Sequence, residues 1–242
     1  MRYFPLVRAI RRQLVARPAL FFPLARLAGN RQLLDRETGL VFDGFPRCGN
    51  SFAEGALLYS QADRGLMLKS HAHSPAQVLR AVRKGLPTLV LVRDPDAAIA
   101  SLIAAFGVDK PEMHYRDYIA YYEPLIGKEK GFVVVDFPVL IQRFDLVLCA
   151  INERFGTDLA IPRIDAEFAQ GAENARDAAS IARTGRAPEY ANLAGRDAPP
   201  DRSRQRAILD RLKSDAHGGY RDLAHALHRQ FAGCGLSVQE GQ

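Results

Sequence analysis

From Gly44 the chain reads Gly44-Phe45-Pro46-Arg47-Cys48-Gly49-Asn50-Ser51-Phe52, a G-x-x-x-x-G-N-S spacing between an apolar run and a helical pattern. Loops of this spacing hold phosphate-shaped anions. Their glycines let backbone N–H groups turn inward, and the following helix presents unpaired N–H groups at its positive end. Asn50 stands where a nucleoside triphosphate site carries lysine, so ordinary ATP or GTP chemistry is not expected. Arg47 supplies a cation with a planar fork that suits phosphate or sulfate oxygens. Farther on, Lys69 and His71 stand two apart in an expected strand and so share a face. An ammonium group beside an imidazole keeps it neutral and able to take a proton, as a general base for a hydroxyl must. Taken alone, His71 has a simpler reading as a surface residue at a strand end. Glu54, early in the loop helix, reads as an acid favoured by the helix dipole. Arg93 ends the most apolar strand of the chain, and Ser101 follows eight residues later.

These residues need a sheet to bring them to one rim, and the hydrophobic pattern predicts one. Strands are expected near 40–45, over 65–70, over 88–92 and over 132–135, the third apolar throughout as befits burial on both faces. Between them the pattern predicts helices from Asn50 to about Ala62, from Pro75 to about Lys84, from Pro95 through Phe106, over Tyr115–Ile126 and over 139–155, with Asp94 capping the third and Pro95 opening it. Four β-α repeats imply a mostly parallel central sheet in a three-layer α/β/α fold, with ligands at the carboxyl ends of the strands. Residues 165–201, rich in Ala, Gly, Arg and Asp, read as helix fragments joined by a long loop, and two helices near 202–214 and 219–231 close the chain. The expected organisation is one domain: a helical arm over 1–37, a nucleotide-binding core over 38–160, and a loop with C-terminal helices over 161–242.

A chain of 242 residues with 48% apolar and 25% charged residues can bury its own core. Three scattered cysteines offer neither a disulfide framework nor zinc spacing and suit a reducing compartment. No apolar run approaches the roughly 20 residues that span a bilayer, so a cytoplasmic protein is expected. The net charge of +6 is uneven: residues 1–34 hold seven arginines and no acid, which leaves the rest close to neutral. Two uses of this arm stand open. One is peripheral contact with anionic lipid or a polyanionic acceptor. The other, favoured by its wealth of large apolar residues, is a helix or two covering the sheet with arginines outward. Nucleic acid is not expected, since no recognition motif accompanies the charge.

Taken together, the rim residues resemble the sulfotransferases that use 3′-phosphoadenosine 5′-phosphosulfate (PAPS). Phe45 to Phe52 is similar to the family's 5′-phosphosulfate loop, and Lys69-Ser70-His71 to the stretch whose histidine is the base in cytosolic members. Leu91-Val92-Arg93-Asp94-Pro95 with Ser101 is similar to the 3′-phosphate site, and Arg183-Thr184-Gly185 to a late motif that grips the same phosphate. The resemblance covers about residues 40–155 in three ordered motifs. It implies cofactor binding by Arg47, Cys48, Gly49, Asn50, Ser51, Phe52, Arg93, Ser101, Arg183 and Gly185, and catalysis by His71, Arg47 and Lys69, with Glu54 the rival base because some branches of the family use a carboxylate. It also implies PAPS as donor, adenosine 3′,5′-bisphosphate (PAP) as product, no metal, and a hydroxyl, less readily an amine, as acceptor on a small molecule, carbohydrate or lipid. Cys48 and Asn50 depart from the family's serine and threonine, and Val133-Val134-Val135-Asp136 lacks the tyrosine and glutamate often found after the fourth strand. The acceptor pocket is expected around Tyr115, Tyr118 and Tyr121. Oligomeric state is not legible.

Three other readings compete. A small-molecule kinase shares sheet and loop but wants lysine at 50 and a magnesium-binding acid, for which Asp94 and Asp136 are the nearby candidates. A cysteine-based phosphatase or sulfur-transfer enzyme would use Cys48 as a thiolate, yet needs an arginine shortly after it, and Gly49 to Phe52 holds none. A non-catalytic nucleotide-binding or membrane-peripheral module would make the arm its working part.

Overall fold

A computed structural model describes residues 16–185, 202–214 and 218–236. The arginines of the arm before residue 16 and the proline-containing segment over 186–201 lie outside the described residues. In chain order the elements are α1 (Pro18–Leu27), β1 (Leu40–Gly44), α2 (Asn50–Ser60), β2 (Leu68–Lys69), α3 (Pro75–Arg83), β3 (Thr88–Val92), α4 (Pro95–Phe106) and α5 (Pro111–Tyr122). There follow β4 (Val133–Asp136), α6 (Phe137–Gln142), α7 (Phe144–Phe155), α8 (Ala166–Thr184), α9 (Arg202–Ser214) and α10 (Gly218–Cys234).

The four strands form one parallel sheet in the order β2-β1-β3-β4, flanked by helices, which is the expected α/β class. The register sets Gly44 beside Leu91 and Val92 beside Asp136, so β1, β3 and β4 end at nearly one level. Side-chain alternation along β1 explains why the sheet must be covered twice. Leu40 and Phe42 enter the main core. Val41, pointing the other way, packs with Phe22, Leu33, Leu34 and Ala81. From β1 the chain steps to β2 on one side and then returns across β1 to β3. The carboxyl ends of β1 and β3 therefore flank a topological switch point, where open α/β sheets leave a crevice. Leu236 adds a parallel bridge to Val135 at the far edge, and a side chain at Gly235 would collide with Val134.

Helix starts follow the local chemistry. Ser74 accepts from Ala76 N–H at 3.3 Å ahead of Pro75, Asp94 accepts from Ala97 N–H at 2.9 Å ahead of Pro95, and Asp165 accepts from Phe168 N–H at 3.0 Å.

Four sequence expectations need correction. The second strand spans two residues rather than 65–70. The helix expected over Tyr115–Ile126 begins earlier, at Pro111, and ends at Tyr122. The span 139–155 holds two helices broken at Arg143. Residues 166–184, read as fragments, form one 19-residue helix, α8. It lies so close to α2 that a side chain at Gly55 would meet Ala172 O at 2.1 Å, and one at Gly171 would meet the Tyr59 ring at 2.2 Å.

Candidate functional site

The loop between β1 and α2 turns on two left-handed residues, Arg47 at φ 74° and Gly49 at φ 99°. Gly49 is fixed by space as well as angle: a Cβ there would sit 2.5 Å from Leu140 Cδ2. Left-handed conformations on either side of Cys48 curl the loop into the start of α2, with Cys48 N–H donating to Phe45 O at 3.1 Å. Asn50 does not reach outward. It is buried, its Nδ2 lies 3.4 Å from the carbonyl oxygens of both Gly44 and Phe45, and its Oδ1 is buried without a hydrogen-bond partner. The residue in the lysine position thus braces the loop, while Ser51 is exposed at the first turn of α2 and Phe52 is buried in the core.

Three sequence-distant groups meet beside this loop. Arg47 Nε donates to Ser101 Oγ at 2.9 Å, across from α4. Arg93, at the end of β3, donates from Nη1 to the Arg47 carbonyl at 2.8 Å and lies over the Phe137 ring at 4.1 Å. Tyr118 Oη donates to the Arg93 carbonyl at 2.9 Å, which fixes the turn that follows. Both guanidinium groups are pulled below their ordinary basicity, Arg47 by burial and by the like charge of Arg93, and Arg93 by burial. Two cations held together in a partly dry place at a helix's positive end make a site that favours an anion.

His71 lies across the loop helix, with Nε2 3.2 Å from Glu54 Oε2. The two rival bases are therefore one pair. Its backbone is left-handed, φ 57°, as is that of His73, φ 45°. Such conformations are rare outside glycine and cluster at functional sites. His73 Nδ1 lies 3.0 Å from Gly44 O, and the two imidazoles stand edge to face, 5.7 Å apart. Beneath them Asp43 is fully buried. Gly44 N–H donates to its Oδ1 at 2.9 Å, the amides of Ala72, His73 and Ser74 face the carboxyl, and Oδ2 makes no hydrogen bond. Burial outweighs these amides and pushes the Asp43 carboxyl up to about 8, so it is neutral at pH 7 and adds no charge beneath the anion loop. Nothing in the sequence singled out Asp43 or His73, although an acid inside an otherwise apolar strand was the available signal.

Other expected site residues lie elsewhere. Lys69 is paired in register with Val41, and its ammonium group meets Asp35 Oδ2 at 2.8 Å. Because β2 ends at Lys69 and the chain turns left-handed at His71, their two-apart spacing no longer sets them on one face. The charged neighbour of His71 is a carboxylate, not an ammonium group. Cys48 is fully buried. Its thiol is pushed up to about 12 by burial, although Tyr122 Oη lies 3.4 Å from it, which removes it as a nucleophile at neutral pH. Gly185 is an exposed left-handed helix cap whose N–H donates to Ile181 O at 2.8 Å, and the side chain of Arg183 lies outside the described residues. Tyr115, Tyr118 and Tyr121 are buried, Tyr118 with its hydroxyl on the Arg93 carbonyl and Tyr115 with its hydroxyl on Asp96. Asp94 and Asp136 each cap a helix, Asp136 accepting from Phe137 N–H at 2.8 Å.

Behind the rim, Arg221, His225 and His228 on one face of α10 meet acids that follow β3 and β4. Arg221 Nη2 is 2.7 Å and His225 Nε2 is 3.0 Å from Asp96, and His228 Nε2 is 3.3 Å from Asp136. Tyr115 Oη also donates to Asp96. Burial alone would raise the Asp96 carboxyl, but the donors His225, Arg221 and Tyr115 prevail and hold it well below the usual carboxylate range.

No protein-family model matches the chain, and no curated protein matches it by sequence. Among solved structures, the crystal structure of mouse sulfotransferase SULT7A1 complexed with PAP is similar over 86% of each chain, at 11% identity and a TM-score of 0.43.

Proposed function

We infer that the protein is a sulfotransferase taking PAPS as sulfuryl donor and a hydroxyl as acceptor. One observation carries the reading. The guanidinium groups of Arg47 and Arg93, repelling each other while partly buried, gather with Ser101 at the N-terminus of α2. Such a site suits a phosphate or sulfate group, and the buried Asn50 in the lysine position argues against a triphosphate. The residues present fit an anionic ligand: the loop with left-handed turns at Arg47 and Gly49 leads into the N-terminus of α2, Arg47 bonds Ser101, and Arg93 stands beside them as a second cation.

PAPS, when bound, supplies an activated sulfuryl group whose bond to the 5′-phosphate oxygen breaks as the acceptor oxygen bonds to sulfur. The chain's own residues do the rest. With Nε2–H of His71 donating to Glu54, Nδ1 is the nitrogen able to take the acceptor's proton. Glu54 holds the ring in that tautomer and is the positioning residue. Arg47 and the N-terminus of α2 would hold the 5′-phosphate end of the donor and stabilise negative charge there. Lys69 has no part in this account.

The test is thermal. PAP at about 100 times its dissociation constant should stabilise the fold by about 2.7 kcal/mol, magnesium ATP should not, and Arg93→Ala should remove the effect. Stabilisation by ATP alone, or a PAP shift that survives Arg93→Ala, would overturn the reading. For transfer itself, sulfur-labelled PAPS with a panel of hydroxyl acceptors should lose kcat in His71→Ala. In Glu54→Gln the pH profile should move, with KM for PAPS unchanged.

A further inference from the structure

Helix α1 is apolar on two sides. Its inward side buries Phe22 against Leu33, Leu34, Val41 and Ala81, which satisfies the sheet. Its outward side carries Leu20, Leu24 and Leu27, spaced four and then three apart and so on one face, with exposures of 43%, 50% and 86%. The expectation of arginines outward over an inward apolar face is thus only half met. A helix apolar all round is ordinarily buried, and such a stripe marks a surface that meets something.

What it meets is indicated by charge. Residues 16–34 contain no acid, and Arg17, Arg26, Arg31 and Arg83 are exposed around the stripe. Arg80 lies 4.1 Å over the Phe22 ring, which locks α3 to α1. Arg80 is held below its ordinary basicity by burial and by the like charges of Arg26 and Arg83, so these three cations repel one another in the free protein. Leucines for an acyl layer, flanked by mutually repelling guanidinium groups for headgroup phosphates, are the pattern of an interfacial helix.

We propose that the outer face of α1, with Arg26, Arg80 and Arg83, docks the protein on an anionic phospholipid bilayer. Leu20, Leu24 and Leu27 enter the headgroup boundary, and the arginines lie over lipid phosphates. The face is separate from the loop site, so its test does not depend on the sulfotransferase reading.

The full chain is floated with vesicles of mixed phosphatidylglycerol and phosphatidylcholine and with vesicles of phosphatidylcholine alone. It should partition at least about tenfold better onto the anionic vesicles, and the preference should fall steeply with added salt. Combined Leu20→Ser, Leu24→Ser and Leu27→Ser should lower anionic binding about tenfold or more, with an unchanged melting temperature because these side chains face outward. Arg26→Glu with Arg83→Glu should abolish the anionic preference, and Leu24→Phe should strengthen binding. Equal partition onto both vesicle types, or leucine variants that bind as the parent does, would overturn the proposal. So would a dimer in solution that the leucine substitutions split, since the stripe would then be a contact between two copies.

Discussion

Asp43→Asn isolates the buried acid under the anion loop. In the folded protein burial keeps the carboxyl protonated up to about pH 8, whereas an unfolded aspartate ionises near its ordinary value of 3.8. A raised folded value means the contribution is fully present below the unfolded value and is lost as pH climbs toward the folded one. Between about pH 4 and pH 8 the folded state holds one proton the unfolded state has released, so stability falls by about 1.4 kcal/mol per pH unit. The total by pH 8 is on the order of 5 kcal/mol. Asparagine does not titrate, so the variant lacks this slope. It carries a fixed offset instead: with its Oδ1 kept toward Gly44 N–H, its N–H₂ takes the place of Oδ2, which has no hydrogen-bond partner, and an unsatisfied buried donor costs about 1–3 kcal/mol at every pH. Urea unfolding of both proteins at half-unit steps from pH 4.5 to 8.5 reads the difference. The parent should lead or match at pH 4.5 and fall behind as pH rises. PAP binding provides a second reading, weakening above pH 8 in the parent as Asp43 ionises beneath the loop, and holding level in the variant. A flat stability difference across that range would refute the burial argument, because it would mean that the amides of residues 72–74 stabilise the ionised carboxylate in full.

Two further outcomes follow from other buried groups. Asp96→Asn strips Arg221 and His225 of their shared partner and should cost about 3 kcal/mol at pH 7 by chemical denaturation. Because the Asp96 carboxyl is depressed, its contribution is complete above the unfolded value and lost as pH falls toward the folded one, so the gap between parent and variant should narrow below about pH 4. In thiol labelling of the native protein, the exposed Cys149 and Cys234 should react, and Cys48 only after denaturant is added. Native labelling of Cys48 at a comparable rate would contradict the packing of the loop against Tyr122.

What could be read from the sequence was what periodicity and turn chemistry encode. The apolar run Thr88–Val92, the Asp94-Pro95 helix start and the glycine loop stand where their residues demand. The strand before His71 was overread because an apolar run does not reveal where the chain will leave the sheet. Here it leaves after Lys69, which turns His71 toward Glu54 and leaves Lys69 to Asp35. Helix α8 was underread for the opposite reason. Its alanines favour a helix, but Gly171 in its interior and the scarcity of large apolar residues hide an apolar stripe, and these small residues are what let it lie against α2, with Gly171 under the Tyr59 ring. The clamp on Asp96 has no local motif. The four-and-three spacing of Arg221, His225 and His228 marked one helical face, but their acids lie far away in sequence.

The bridge between Leu236 and Val135 bears on solubility. A parallel sheet of four strands has two open flanks, each a template on which another molecule's strand could grow. On one flank the outermost strand is two residues long, too short to recruit a neighbour. On the other, the returning chain at Leu236 occupies the Val134 carbonyl and the Asp136 N–H that would otherwise be offered to a stranger. Truncation before Gly235 would uncover that flank while leaving the anion loop untouched. A shortened protein of this kind should bind its ligand normally when dilute and precipitate on concentration.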